Sequence, residues 1–157
     1  MEATSTFSLV RHEGEYRSWP LETGLLSDGQ ACGMTIPGFV LEAQYRCGDQ
    51  YLFITSWDCP FEESLTIVLT NAALKVIDKK SIGAMYASVW LERHEVVEPN
   101  QLLLHCDNGL QYKVTVAKRL QLERIDPTAP SFNSHPQLEE SLKENLKKPV
   151  GSRWKFW

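Results

Sequence analysis

The chain has 157 residues, 43% of them hydrophobic, with 16 basic and 20 acidic side chains and a formal net charge of −4. That length suffices for one domain with its own core, so folding requires no staple. The acidic balance argues against nucleic acid as a partner, because the one basic concentration, Lys143 to Lys155, is preceded by Glu139 and Glu140 and interrupted by Glu144. No apolar run approaches the length needed to span a bilayer, and MEATSTFSLVRHEGE lacks the basic-then-apolar order of a secretory leader. The expectation is therefore a cytoplasmic protein with neither membrane nor nucleic acid as a partner. Cys32, Cys47, Cys59 and Cys106 are then expected to be free thiols. They form no C-x₂-C pair, so neither a metal nor another cofactor is expected.

Residues 6–11 (TFSLVR) read as a first strand. Residues 12–38 are punctuated by glycine and proline and read as loop, with one or two short strands such as Ala31 to Ile36. Trp19, Leu25 and Leu26 are expected to pack onto a main sheet. FVLEAQYRC, from Phe39, places Ala43, Tyr45 and Cys47 on one face. Gly48-Asp49-Gln50 turns the chain, and YLFITS returns as the second arm of a hairpin. SLTIVLT alternates Leu65, Ile67 and Leu69 with Thr66, Val68 and Thr70. After a turn at Asn71, LKVIDKK is expected to point Leu74 and Val76 inward. MYASVWLERHEVV reads as one extended stretch over 85–97, rich in β-branched and aromatic residues. QLLLHC, the turn at Asn108-Gly109 and LQYKVTVA form the clearest hairpin, and RLQLERI adds a strand. His105, opposite in phase to Leu104, is expected on the wetter side.

Strands at this spacing, joined by turns without intervening amphipathic helices, predict a mainly β fold. The expectation is an antiparallel β-sandwich or partly open β-barrel of about 7–9 strands, with one dry and one wet face and one short C-terminal helix. The β-domain is assigned to residues 1–126. Residues 127–157 begin with the proline-rich DPTAPSFNSHP linker. QLEESLKENLKK then carries Leu138, Leu142 and Leu146 at helical spacing, and an aromatic end, SRWKFW, follows. Trp154, Phe156 and Trp157 are expected to pack on the domain, a second copy or a protein partner.

Unusual residue types crowd one stretch, YLFITSWDCPFEE over 51–63. Asp58, Glu62 and Glu63 are a candidate carboxylate group for a cation or for acid–base chemistry. The structural reading has Asp58 capping a turn, Pro60 fixing the next φ, Phe61 dropping into the core and the acids favoured at the start of a helical turn. Cys59 is a candidate nucleophile only if a histidine lies beside it, and the neighbouring acids discourage its thiolate. No phosphate-binding glycine pattern and no G-x-S-x-G elbow occurs. The segment from Tyr51 to Val76 is similar to small bacterial β-proteins, an unspecific similarity that carries no function across.

Three functions follow as expectations. The first is a non-catalytic bacterial interaction protein, immunity- or inhibitor-like, with binding residues Trp57, Asp58, Glu62, Glu63, Trp154, Phe156 and Trp157 and no catalytic residue. The second is a small-molecule- or peptide-binding β-barrel whose mouth is lined by Trp57, Trp90, Tyr45, Tyr51 and Tyr86. The third is an enzyme using the three carboxylates or Cys59.

Overall fold

The computed structural model describes residues 1–59 and 61–125. These form twelve strands: β1 (Glu2–Ala3), β2 (Phe7–Leu9), β3 (Glu22–Ser27), β4 (Gln30–Pro37), β5 (Val40–Cys47), β6 (Gln50–Ser56), β7 (Leu65–Asn71), β8 (Val76–Ile82), β9 (Leu91–Glu98), β10 (Gln101–Cys106), β11 (Gln111–Val116) and β12 (Leu120–Ile125). All pairings are antiparallel, in three open sheets ordered β1-β5-β6-β7-β8, β12-β11-β10-β9 and β2-β3-β4. None of the three closes into a barrel. No helix among the described residues is long and apolar enough to cross a membrane. The helix expected over 137–148 and the aromatic residues Trp154, Phe156 and Trp157 lie outside the described residues.

The central strands explain the layering. Along β6 and β7 both phases of the alternation are apolar or buried, from Leu52 to Ser56 and from Leu65 to Thr70. Leu52, Ile54, Leu65, Ile67 and Leu69 belong to one core cluster with Leu102, Leu104, Val114 and Val116 of the four-stranded sheet. Phe53 and Val68, pointing the opposite way, join Phe7, Leu25, Met34 and Ile36 of the three-stranded sheet. The expectation of one dry and one wet face therefore fails for β6 and β7. Near-continuous apolar runs such as LFI and TIVL are the signature of strands covered on both faces.

Strands are more numerous than the seven to nine expected: β1 adds one that was not anticipated, and residues 12–38 hold, besides the strand expected near Ala31 to Ile36, its hairpin partner β3. Asp28 and Gly29 adopt φ of 47° and 77° between the paired Ser27 and Gln30. This is the two-residue turn whose twist matches paired strands, and Asp-Gly is its sequence signal. Leu25 does pack against the central sheet, at 1% exposure.

Other expectations need correcting. The turn after β7 is longer than three residues, because Asn71 Oδ1 accepts both the Ala73 and Lys75 N–H groups and Leu74 takes φ 58°. The strand phase shifts as a result, so Leu74 tucks against the second cluster while Val76 faces out. The stretch 85–97 is not one strand. Ala84 bridges Ala87, Tyr86 is left-handed at φ 62° and fully on the surface, and β9 begins only at Leu91. His105 is buried, not wet. Arg93 can only donate, so His105 Nδ1 accepts from it at 3.2 Å, and Nε2–H then donates to Glu95 at 2.8 Å.

The N-terminal segment links two sheets. β1 pairs with the distal end of β5 at Tyr45 and Arg46, and the Thr4 N–H still reaches the Gln44 carbonyl. The chain then leaves the central sheet and pairs with β3 as β2. The Gln44 side chain spans the gap, accepting the Phe7 N–H at 2.9 Å and donating to the Phe7 carbonyl at 2.8 Å.

Candidate functional site

The loop after β6 is held by one carboxylate, that of Glu63, at 1% exposure. Its Oε1 accepts the Trp57 N–H at 2.7 Å and the Ser64 N–H at 2.9 Å, and Oε2 accepts the Cys59 N–H at 2.8 Å. Its main chain donates to Ser88 Oγ and accepts from the Val89 N–H. Three amide donors satisfy a buried carboxylate without a cation beside it. The capping role expected of Asp58 thus belongs to Glu63. Asp58 is exposed, left-handed at φ 53°, and makes no hydrogen bond among the described residues. Phe61, expected in the core, is 84% exposed, and Glu62 is also on the surface. The three acids therefore do not converge, since one points inward as a scaffold and two stand outside. Among the described residues no group of three or more His, Cys, Asp or Glu side chains is placed to hold a metal ion.

Cys59 lies half-buried beside Tyr16, whose hydroxyl donates to the Trp57 carbonyl at 2.9 Å. Burial raises the Tyr16 hydroxyl above its ordinary range, and the negative charges of Cys59, Glu63 and Asp58 push the same way. Among the described residues no histidine hydrogen-bonds Cys59, whose N–H donates to Glu63.

Next to this loop the chain opens a groove of about 480 Å³ lined by Leu9, Val10, Arg11, His12, Trp19, Phe39, Val40 and Asp58. Phe39 stands at its centre. His12, Tyr16, Trp19 and Trp57 all meet the Phe39 ring edge-on, with centroids 5.1 to 5.5 Å away. Edge-to-face rings at these separations attract beyond the area they bury.

The corner that presents Phe39 is built from glycine and two threonines. Gly38 sits at φ 101°, and a Cβ there would lie 2.7 Å from the Ser56 carbonyl oxygen, so no other residue fits. The Phe39 N–H donates to that same carbonyl at 2.7 Å. Thr55 Oγ1 donates to the Pro37 carbonyl and Thr23 Oγ1 to the Gly38 carbonyl, each at 2.6 Å. The Thr23 hydroxyl has a single proton, spent on Gly38. The contact from His12 Nε2, at 2.9 Å, must then be a donation. Neutral His12 is thereby fixed as its Nε2–H tautomer, and Nδ1 remains without a partner among the described residues.

Of the aromatic set expected around a mouth, only Trp57 belongs here, through its contact with Phe39. Tyr45 is buried and hydrogen-bonds His94, Tyr51 packs on Phe7 and Phe53, and Tyr86 and Trp90 lie on other surface segments. The groove residues His12, Trp19, Phe39 and Val40 were not legible as a group. Their one sequence signal is that two large aromatics flank a stretch dense in glycine and proline. Set against protein-family models, curated proteins and solved structures, the chain matches none of them.

Proposed function

We propose that this protein is a non-catalytic cytosolic binding protein of the immunity or inhibitor kind, a sandwich-like stack of three sheets whose recognition surface is the Phe39 groove. The observation that carries this reading is the pinned corner. Four rings, those of His12, Tyr16, Trp19 and Trp57, meet Phe39 beside a concave surface, and the backbone beneath Phe39 is fixed by Gly38, Thr23 and Thr55 before any ligand arrives. Preorganised aromatic side chains give contact area at low entropic cost. Free thiols at all four cysteines support a reducing compartment. In this reading the groove, which Asp58 helps to line, serves as the partner surface in place of a convergent Asp58, Glu62 and Glu63 carboxylate site.

A displayed library of random decapeptides, selected on the immobilised full chain, tests the reading. Wild-type protein should enrich binders that Val40→Arg and Trp19→Ala lose, while both variants melt within a few degrees of wild type. Binders that ignore both substitutions would refute it.

A further inference from the structure

The open edge of β2 says what kind of ligand the groove takes. In the β2–β3 pair the Asp28 N–H bonds the Thr6 carbonyl and the Val10 N–H bonds the Gly24 carbonyl, with Ser8 opposite Leu26 between them. Thr6, Ser8 and Val10 therefore direct their peptide groups inward to β3. By the two-residue alternation of a strand, Phe7 and Leu9 direct theirs outward. Phe7 confirms the phase, because its N–H and carbonyl are both taken up from outside by the Gln44 carboxamide. That carboxamide makes the two bonds a residue of a neighbouring strand would make. Two residues further on, Leu9 offers the same donor–acceptor pair, and Leu9 lines the groove. Of the facing wall, Phe39 directly precedes β5 and Val40 opens it, at the end of β5 that β1 does not cover, since β1 pairs only with Tyr45 and Arg46.

We propose that the groove binds an extended peptide segment of a partner protein by strand addition to β2, with Leu9 supplying the main-chain bonds and the Phe39–Trp19–Val40 wall taking an apolar side chain. The inference rests on the groove being the recognition surface. An open strand edge selects for extended backbone, which a helix or a compact small molecule cannot present, and pockets along it select side chains. Arg11 and Asp58, of opposite charge on the same lining, give the peptide a preferred direction.

The test is an N-methyl scan of a library-selected peptide titrated into the full chain. Methylating one peptide nitrogen removes a donor and blocks approach to an edge. The expected result is a loss of roughly tenfold or more at the residue opposite Leu9 and little change at its immediate neighbours, whose peptide groups face away. Equal tolerance at every position, with Val40→Arg still abolishing binding, overturns strand addition and leaves the groove reading standing. If no Val40-dependent peptide is enriched, strand addition is also overturned. Where no peptide is enriched at all, amide shifts at Trp19 and Phe39 on titration with indole keep the groove reading, and their absence removes it.

Discussion

The Glu63 carboxylate accepts the main-chain N–H of Trp57, six residues earlier, at 2.7 Å, and this bond sets the course of the loop beside the groove. Together with the Cys59 and Ser64 contacts it makes Glu63 the acceptor for three amides in a space closed to water. Glu63→Ala leaves those donors unpaired and should destabilise the fold by about 3 kcal/mol or more in urea titration. Glu63→Gln should cost less, because one oxygen still accepts while its amide group opposes the Cys59 N–H. Asp58→Gly should be neutral or slightly stabilising, since Asp58 occupies left-handed φ and bonds nothing among the described residues. A larger loss for Asp58→Gly than for Glu63→Ala would reverse the assignment of the cap.

Gln44 is the next residue whose side chain stands in for main chain. Gln44→Ala opens both Phe7 peptide groups at once and should cost about 1–3 kcal/mol. Gln44→Glu should fall between, because a carboxylate accepts from the Phe7 N–H but cannot donate to its carbonyl. Equilibrium unfolding of the two variants gives the order.

Thr70 Oγ1 is buried with no hydrogen-bond partner among the described residues, and Thr70 is fully enclosed. A hydroxyl in that position gives up its water and gains nothing. Thr70→Val keeps the β-branched shape and should raise stability by about 1 kcal/mol. A loss instead would mean that the hydroxyl has a partner in solution.

Cys106 contributes to the alkaline limb of stability. Burial, with Asp107 and Glu92 adding to it, pushes its thiol up to about 11. An unfolded cysteine titrates near ~8.5. The thiolate thus forms more readily in the unfolded chain, so the Cys106 contribution is complete below that value and drains away as pH rises towards about 11. Tyr45 and Cys47, also raised by burial, act in the same direction. Stability should therefore fall across this window, and Cys106→Ala should flatten the slope. The native thiol should also resist alkylation at pH 8. On the acid side the His105 hydrogen bond, with help from Arg93, lowers Glu95 below its ordinary range. That contribution is present above the ordinary carboxylate range and is lost as pH falls through the folded value, so Glu95→Gln should be less acid-sensitive than wild type.

Much of the sheet could be read from side-chain phase alone. Gln111 to Val116 alternates cleanly, Asn108-Gly109 turns the chain, and Cys47 pairs with Gln50 across Gly48-Asp49. What escaped reading was set by contacts distant in sequence. Leu52 and Phe53 are both buried because sheets lie on either side of β6, and the apolar runs LFI and TIVL carry that signal only weakly, since periodicity alone does not tell a short buried strand from a buried helical segment. Of the β3–β4 hairpin only the strand at Ala31 to Ile36 was legible, because glycines and prolines made the rest read as loop, although Asp28-Gly29 carried the turn signal. Among the three acids near Cys59, composition could not say which one turns inward. Glu63 does so because amides at positions 57, 59 and 64 converge on it. The groove was illegible for the same reason, since Leu9, Trp19 and Phe39 come from three separate stretches that meet only after folding.

Residue-resolved amide hydrogen exchange at Leu9 tests the central claim most directly. In the free protein the Ser8 and Val10 amides should be protected by β3 and the Phe7 amide by Gln44, while the Leu9 amide, facing the groove, exchanges fast. A bound groove-selected peptide should slow Leu9 by an order of magnitude or more and leave Ser8 unchanged. A Leu9 amide already as protected as Ser8 in the free protein, or one that stays fast when the peptide is bound, would contradict the account.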